Sequence, residues 1–95
     1  MIKLDKKEKL LKEADDLQME IQDWLDYLDR KSVSPEEIKK NKIVWGRLTG
    51  KDICNLVSTL FDQLKAILDN MSKSDASCFK NIVARTQTFI TQTKG

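Results

Sequence analysis

Residues 47–71 read RLTGKDICNLVSTLFDQLKAILDNM, and this stretch decides the fold. From Ile53 to Met71 its apolar side chains recur at helical spacing and cover a wide arc of a helix surface. Thr49 is followed three residues later by Asp52, the reciprocal pattern that satisfies unpaired amides at a helix start. The stretch therefore predicts a long helix over 50–71 at the centre of the core, with Leu60 and Leu64 buried.

Three further segments begin with the same kind of acceptor and carboxylate pair. The pairs are Asp5 with Glu8, Ser34 with Glu37, and Ser72 with Asp75. They predict helices over 5–31, 35–47 and 74–93, of which the second has the weakest apolar periodicity. Because short connections favour antiparallel neighbours, we expect an all-α protein. It would be a small antiparallel four-helix bundle without strands, forming a single domain over 1–95.

The composition argues against catalysis and against cofactor binding. The 95 residues include no histidine, two cysteines and three glycines, with a formal net charge of +2. Catalytic triads need a histidine or its substitute beside a serine or cysteine, and phosphate-binding loops need clustered glycines. A chain of this length buries one modest core rather than a deep cleft. We therefore expect a protein that is not an enzyme and that binds no cofactor and no metal.

The distribution of apolar residues predicts neither a membrane span nor a signal peptide. The longest apolar runs, such as Ile43 to Trp45, are three residues long, whereas a membrane span needs about twenty. The first residues, MIKLDKKEKLLKE, carry charges throughout and lack an apolar signal region. We expect a cytoplasmic protein in which Cys54 and Cys78 are reduced, partly buried thiols.

Clusters of like charge have simple interpretations in this chain. Carboxylates recur along one flank of the first helix and are interpreted as a solvated face, because di-metal bundle sites also need Glu-x-x-His pairs. They are Glu13, Asp16, Glu20 and Asp23. A small basic cluster without stacking aromatics, Lys39, Lys40 and Lys42, does not indicate an RNA-binding surface. The turn at 48–52 suits a helix-turn-helix, but the helix that follows has few basic residues, so we expect no nucleic-acid partner.

The order of these features resembles a known family. ADDL at 14–17 in the first helix leads to SVSPEEI at 32–38, RLTGKDICNLVSTLFDQL at 47–64 and FITQTK at 89–94. In pattern, length and basicity this resembles the four-helix immunity proteins that lactic bacteria make against pediocin-like and lactococcin-like bacteriocins, the enterocin A immunity type. The positions that match in kind are Ala14, Glu36, Glu37, Leu48, Gly50, Lys51 and Asp52.

The resemblance implies a cytoplasmic monomer that works without catalysis. Such a protein protects the producing cell against a pore-forming bacteriocin by binding, from inside, the membrane permease complex that the bacteriocin has captured. In that family the C-terminal part carries much of the specificity, which here corresponds to the fourth helix. That helix is rich in threonine and glutamine in this chain.

The residues of the fourth helix agree with a partner-binding role. Its outward face has uncharged hydrogen-bonding groups that lose water at modest cost. The candidate partner-binding residues are Lys80, Arg85, Thr88, Thr91, Gln92 and Lys94. One alternative is a solvated terminal helix with no role. Another is a helical adaptor or trafficking module that binds a partner helix in a groove, since the N-terminal helical domains of syntaxins have a comparable layout.

Overall fold

A computed structural model describes residues 6–41 and 43–93 of the chain. In chain order the elements are α1 (Lys6–Arg30), α2 (Pro35–Lys39), β1 (Ile43–Trp45), β2 (Leu48–Thr49), α3 (Gly50–Asp69), α4 (Lys73–Ala76), a 3₁₀ turn (Ser77–Phe79) and α5 (Lys80–Thr93). The fold class is all-α, as the sequence predicted. The two strands form only a short hairpin.

Side-chain caps confirm three of the predicted helix starts. At α3 the Asp52 N–H donates to Thr49 Oγ1 at 3.4 Å, and the Thr49 N–H donates to Asp52 Oδ2 at 3.0 Å. This closes the predicted capping box. The other two caps are single hydrogen bonds, from Glu37 N to Ser34 Oγ and from Asp75 N to Ser72 Oγ. Asp5, predicted to cap the first helix, lies outside the described residues.

The predicted second helix, 35–47, is wrong beyond its first turn. Helix α2 ends at Lys39, and Asn41 adopts a left-handed backbone conformation with φ 59°, which an α-helix cannot continue through. The Asn41 side chain is held in place because its Oδ1 accepts a hydrogen bond from the Lys51 N–H at 2.9 Å. A contact ten residues away in sequence therefore ends this helix.

A β-hairpin replaces the rest of the predicted second helix. Ile43 pairs with Thr49 and Trp45 with Leu48 in an antiparallel arrangement. The chain reverses at Gly46, whose φ of 55° favours glycine. The expectation of a chain without strands is therefore wrong at this one place, where the sequence has weak helical periodicity and a glycine.

Helix α3 begins directly against the backbone of α2. A Cβ added at Gly50 would lie 2.6 Å from the Cα of Ile38, which is closer than real Cβ atoms approach. Ile38 and Gly50 are both buried. The glycine therefore lets α2 and α3 pack in backbone contact.

The predicted fourth helix, 74–93, corresponds to α4, the 3₁₀ turn and α5 in succession. The local tightening at Ser77–Phe79 accompanies a hydrogen bond from Ser77 Oγ to the Ser74 carbonyl at 2.7 Å. The segment turns helically from Lys73 to Thr93. The prediction is confirmed in extent and misses only the change in helix type.

The core lies where the apolar faces of α1, α3 and α5 meet. The fully or nearly fully buried apolar side chains are Ala14, Ile21, Leu25, Leu28, Ile38, Ile53, Val57, Phe61, Leu64, Phe79, Ile82 and Ile90. Cys54 Sγ near the start of α3 lies 3.3 Å from Thr93 Oγ1 at the end of α5, so these two helix ends are in contact. Leu64 is buried as predicted, whereas Leu60, also predicted to be buried, is only half-buried, because it lies toward the edge of the apolar arc.

Candidate functional site

The candidate residues of the predicted fourth helix lie on a segment whose two faces separate as the sequence predicted. The inward side chains, buried or half-buried, are Phe79, Ile82, Val83, Thr86, Phe89, Ile90 and Thr93. The outward, exposed ones are Lys80, Thr88, Thr91 and Gln92. Lys94 lies outside the described residues. The buried Thr86 hydroxyl is satisfied, because it donates to the Ile82 carbonyl at 2.7 Å.

A surface groove of about 370 Å³ runs between α5, the end of α1 and the turn before α2. We call it the α1–α5 groove. Its apolar lining consists of Leu25, Leu28, Val33, Pro35, Ala84 and Phe89, and its polar lining consists of Asp29, Arg85, Thr88 and Gln92. The groove therefore combines an apolar floor with a rim that can form hydrogen bonds and ion pairs.

Arg85 joins α5 to the last turns of α1. Its Nη2 lies 2.9 Å from Asp26 Oδ1 and 2.9 Å from Asp29 Oδ2, and the Arg85 side chain is 37% exposed. One guanidinium thus contacts two carboxylates at partly exposed positions. Arg85 is a predicted partner-binding residue, and its charge is compensated within the protein.

Only part of the predicted partner-binding set is brought together. Arg85, Thr88 and Gln92 share the α1–α5 groove. Thr91 is exposed beside Gln87, whose Nε2 donates to Thr91 Oγ1 at 3.4 Å, and it does not line the groove. Lys80 is exposed at the start of α5, more than a turn before the groove begins at Ala84. The predicted outward face is therefore divided into one surface at the groove and another outside it.

The sequence analysis missed the contribution of α1 and of the turn that follows it. Asp26 and Asp29 bind Arg85, and Val33 and Pro35 form the wall opposite α5. These residues are about fifty positions from α5 in the chain, so helical periodicity within one segment cannot link them. The only sequence signal is the presence of aspartates near the C-terminus of a helix, where the helix dipole disfavours negative charge.

A second, more open depression lies on α1. It has a volume of about 790 Å³ and is lined by Asp23, Trp24, Asp26, Tyr27, Asp29 and Arg30. The Trp24 and Tyr27 rings meet edge to face, with centroids 6.3 Å apart. Trp24 is half-buried and packs against the core, which agrees with the packing role that its type suggests. The side chain of Trp45 lies outside the described part of the structure.

The titratable groups form hydrogen-bonded caps and exposed surfaces. Within residues 6–41 and 43–93, no group of three histidine, cysteine or carboxylate side chains is placed to hold a metal ion. The carboxylates of the predicted solvated flank are all exposed: Glu13, Asp16, Glu20 and Asp23. In the predicted basic cluster Lys39 and Lys40 are exposed, and Lys42 lies outside the described residues. Two hydrogen bonds to the Asp52 carboxylate lower the pKa of Asp52. The larger effect comes from the Thr49 N–H and the smaller from the Thr49 hydroxyl.

Both cysteines are free thiols. Cys54 is half-buried, as expected. The expectation that Cys78 is partly buried is wrong, because the 3₁₀ turn places it on the exposed side with its Sγ 4.0 Å from the Ser74 carbonyl. An exposed thiol of this kind makes no contribution to the core.

Across the described part of the chain, the helices are too short or too polar to cross a bilayer. No family model, no curated protein and no solved structure matches the chain. The geometry of the α1–α5 groove is therefore the main basis for a functional interpretation.

Proposed function

We propose that the protein is a protein-binding domain without catalytic activity, and that it acts as a cytoplasmic immunity protein. In this role it protects a producer cell against a pore-forming bacteriocin by binding the membrane permease complex that the bacteriocin has captured. The observation that carries the proposal is the α1–α5 groove, whose rim on α5 has the uncharged side chains Thr88 and Gln92 beside Arg85.

The groove has the two properties that a small binding site needs. Its floor includes Leu25 and Leu28, which are only 4% and 3% exposed, so an apolar side chain placed over them meets a packed surface. Removing Thr88 and Gln92 from water costs less than removing a charge, because their hydrogen bonds can be replaced by those of a partner. Anchor side chains in such pockets dominate the affinity of many interfaces.

The proposal includes the finer architecture expected from the resemblance. In it the protein is a monomeric antiparallel four-helix bundle in which α2 and the hairpin together take the place of the second helix. One contact supports antiparallel packing of α3 and α5, because the start of α3 lies beside the end of α5 through Cys54 and Thr93. The start of α1 lies beside α4 through Lys7 and Asp75, whose charged atoms are 3.7 Å apart, so α1 and the α4–α5 segment begin at the same end of the molecule.

Expression of the chain in a bacteriocin-sensitive strain tests the proposal. We expect the unmutated chain to protect against at least one pediocin-like or lactococcin-like peptide. Thr88→Lys adds a cation and a longer side chain inside the groove and should abolish protection. Thr91→Lys, three residues later on the same helix, adds the same group outside the groove and should leave protection intact.

The two variants are matched controls for each other. Both place a positive charge near the C-terminus of α5, where the helix dipole favours it to the same small extent. Exposed positions away from caps usually change the free energy of unfolding by no more than about 0.5 kcal/mol, so both variants should fold. Equal protection by both variants would remove the groove from the mechanism. It would make the basic end of α2, with Lys39 and Lys40, the next surface to test.

A helical adaptor is the second candidate function. Ala84 to Gln92, which line the groove, span about 12 Å along α5 at the rise of an α-helix, and this length suits two turns of a partner helix. If the unmutated chain protects against no peptide of either class, the immunity proposal fails and the adaptor remains.

A further inference from the structure

The α1–α5 groove lies beside a row of carboxylates on the last turns of α1. Asp23, Asp26 and Asp29 follow each other at intervals of three residues, and we call these three residues the acidic ridge. Asp29 lines the groove, and its side chain is 77% exposed, while that of Asp26 is 48% exposed. A partner that enters the groove therefore meets the ridge at the same time.

The ridge is only partly neutralised by the protein itself. Residues 13–29 of α1 contain seven acidic residues and no basic one, and Arg30, which follows directly, lines the same depression as the three ridge carboxylates. Arg85 supplies one positive charge to the two carboxylates that it contacts, Asp26 and Asp29. The α1 side of the groove therefore carries excess negative charge, although the chain as a whole has a net charge of +2.

The position of the ridge is unfavourable for the helix that carries it. Asp29 lies in the last turn of α1, where the helix dipole disfavours a carboxylate, and like charges three residues apart on a helix repel each other. Local rules that a sequence breaks in this way commonly mark functional surfaces. Arg85 offsets this repulsion at Asp26 and Asp29, and a cation supplied by a partner would offset the remainder.

We propose that the α1–α5 groove binds an amphipathic segment of a partner protein that carries lysine or arginine residues. An apolar side chain of the segment packs over Leu25, Leu28 and Phe89, and its flanking cations lie along the acidic ridge. The hydroxyl of Thr88 and the amide of Gln92 supply hydrogen bonds on the opposite rim.

The source of the segment rests on the proposed function. A permease approached from the cytoplasm presents loops enriched in lysine and arginine, because membrane proteins retain positive charge on that side. The acidic ridge is complementary to such a loop. The charge complementarity itself follows from α1 and Arg85 and does not depend on the identity of the permease.

Titration of the isotope-labelled protein with two synthetic peptides tests the inference. Both peptides have leucine at positions i, i+3, i+4 and i+7. One carries lysine at the remaining positions, and the other carries glutamate. We expect saturable binding of the lysine peptide, weakened by added salt, with backbone amide shifts concentrated at residues 25–35 and 84–92. The glutamate peptide should not bind.

A pair of lysine substitutions separates the groove from general electrostatics. Ala84→Lys adds a cation and a longer side chain at the groove, whereas Ala66→Lys adds the same group to α3 outside it. Both positions are exposed, and alanine and lysine are both good helix formers. Ala84→Lys should weaken binding of the lysine peptide at least about tenfold, and Ala66→Lys less than about twofold.

The results that overturn the inference are equally definite. They are an absence of saturable binding, equal binding of both peptides, amide shifts centred on α3, or equal weakening by the two lysine variants. The protection assay is independent of this titration. A chain that protects without binding the lysine peptide refutes this inference alone, and a chain that binds the peptide without protecting refutes only the immunity role.

Discussion

Helix α3 and the segment 35–47 are close neighbours in the chain, and the sequence predicts a helix in both. In α3 four side chains recur at helical spacing and are almost completely buried: Ile53, Val57, Phe61 and Leu64. The segment instead contains two residues with left-handed backbone conformation, Asn41 and Gly46, and its strand β1 pairs with β2. Periodic burial therefore determines a long helix, whereas a short connecting segment follows contacts with residues distant in sequence.

The largest effect is expected at the centre of the periodic region. Leu64→Ala should lower the free energy of unfolding by about 2–5 kcal/mol, because Leu64 is fully buried and the substitution leaves a cavity. Leu60→Ala should cost clearly less, since Leu60 is half-buried. Chemical denaturation of the two variants measures the difference. Equal losses would show that burial along α3 is not the basis of its stability.

The junction between the two regions gives the next largest effect. Gly50→Ala would force a methyl group against the backbone of Ile38, and overpacking of this kind costs about 1–3 kcal/mol. Gly46→Ala is the matched control, because it meets no atom within 4 Å and is opposed only by the positive φ. That conformation costs about 1–2 kcal/mol.

Thermal or chemical denaturation, together with amide shifts, distinguishes the two glycine substitutions. Gly50→Ala should move the amide signals of both α2 and α3, whereas the changes from Gly46→Ala should remain within the hairpin. If Gly50→Ala is as stable as the unmutated chain, α2 does not pack against the start of α3.

The smallest effect concerns the cap that joins β2 to α3, and it depends on pH. The folded protein lowers the pKa of Asp52 from an ordinary value of 3.8, first through the hydrogen bond from the Thr49 N–H. The charged cap therefore stabilises the fold above that pH, and this stabilisation is lost as the pH falls through the lower folded value. Thr49→Ala should cost about 0.5–2 kcal/mol near neutral pH.

The two substitutions at the cap separate its contributions. Asp52→Asn should reduce the acid dependence of stability while preserving the Thr49 Oγ1 acceptor. Denaturation curves recorded between neutral and acidic pH measure both variants. An unchanged acid profile in Asp52→Asn would contradict the lowered pKa.

The candidate site was predictable in one half only. The exposed threonines and Gln92 follow from the apolar stripe of α5, because their positions are fixed by its opposite face. The partners of Arg85 did not follow, since Asp26 and Asp29 belong to α1 and have the same exposed helical pattern as the other carboxylates there. Arg85, a predicted partner-binding residue, is consequently part of an internal ion pair.

The sequence by itself determined the all-α class, three capped helix starts, the apolar arc of α3 and the outward face of α5. It could do so because caps and helical periodicity are local properties that involve residues at most a few positions apart. The tertiary structure decided where α2 ends, that position 50 requires a glycine, and that α1 forms one side of the groove. Those features depend on contacts such as Asn41 with Lys51 and Arg85 with Asp29, which form only when separate elements pack together.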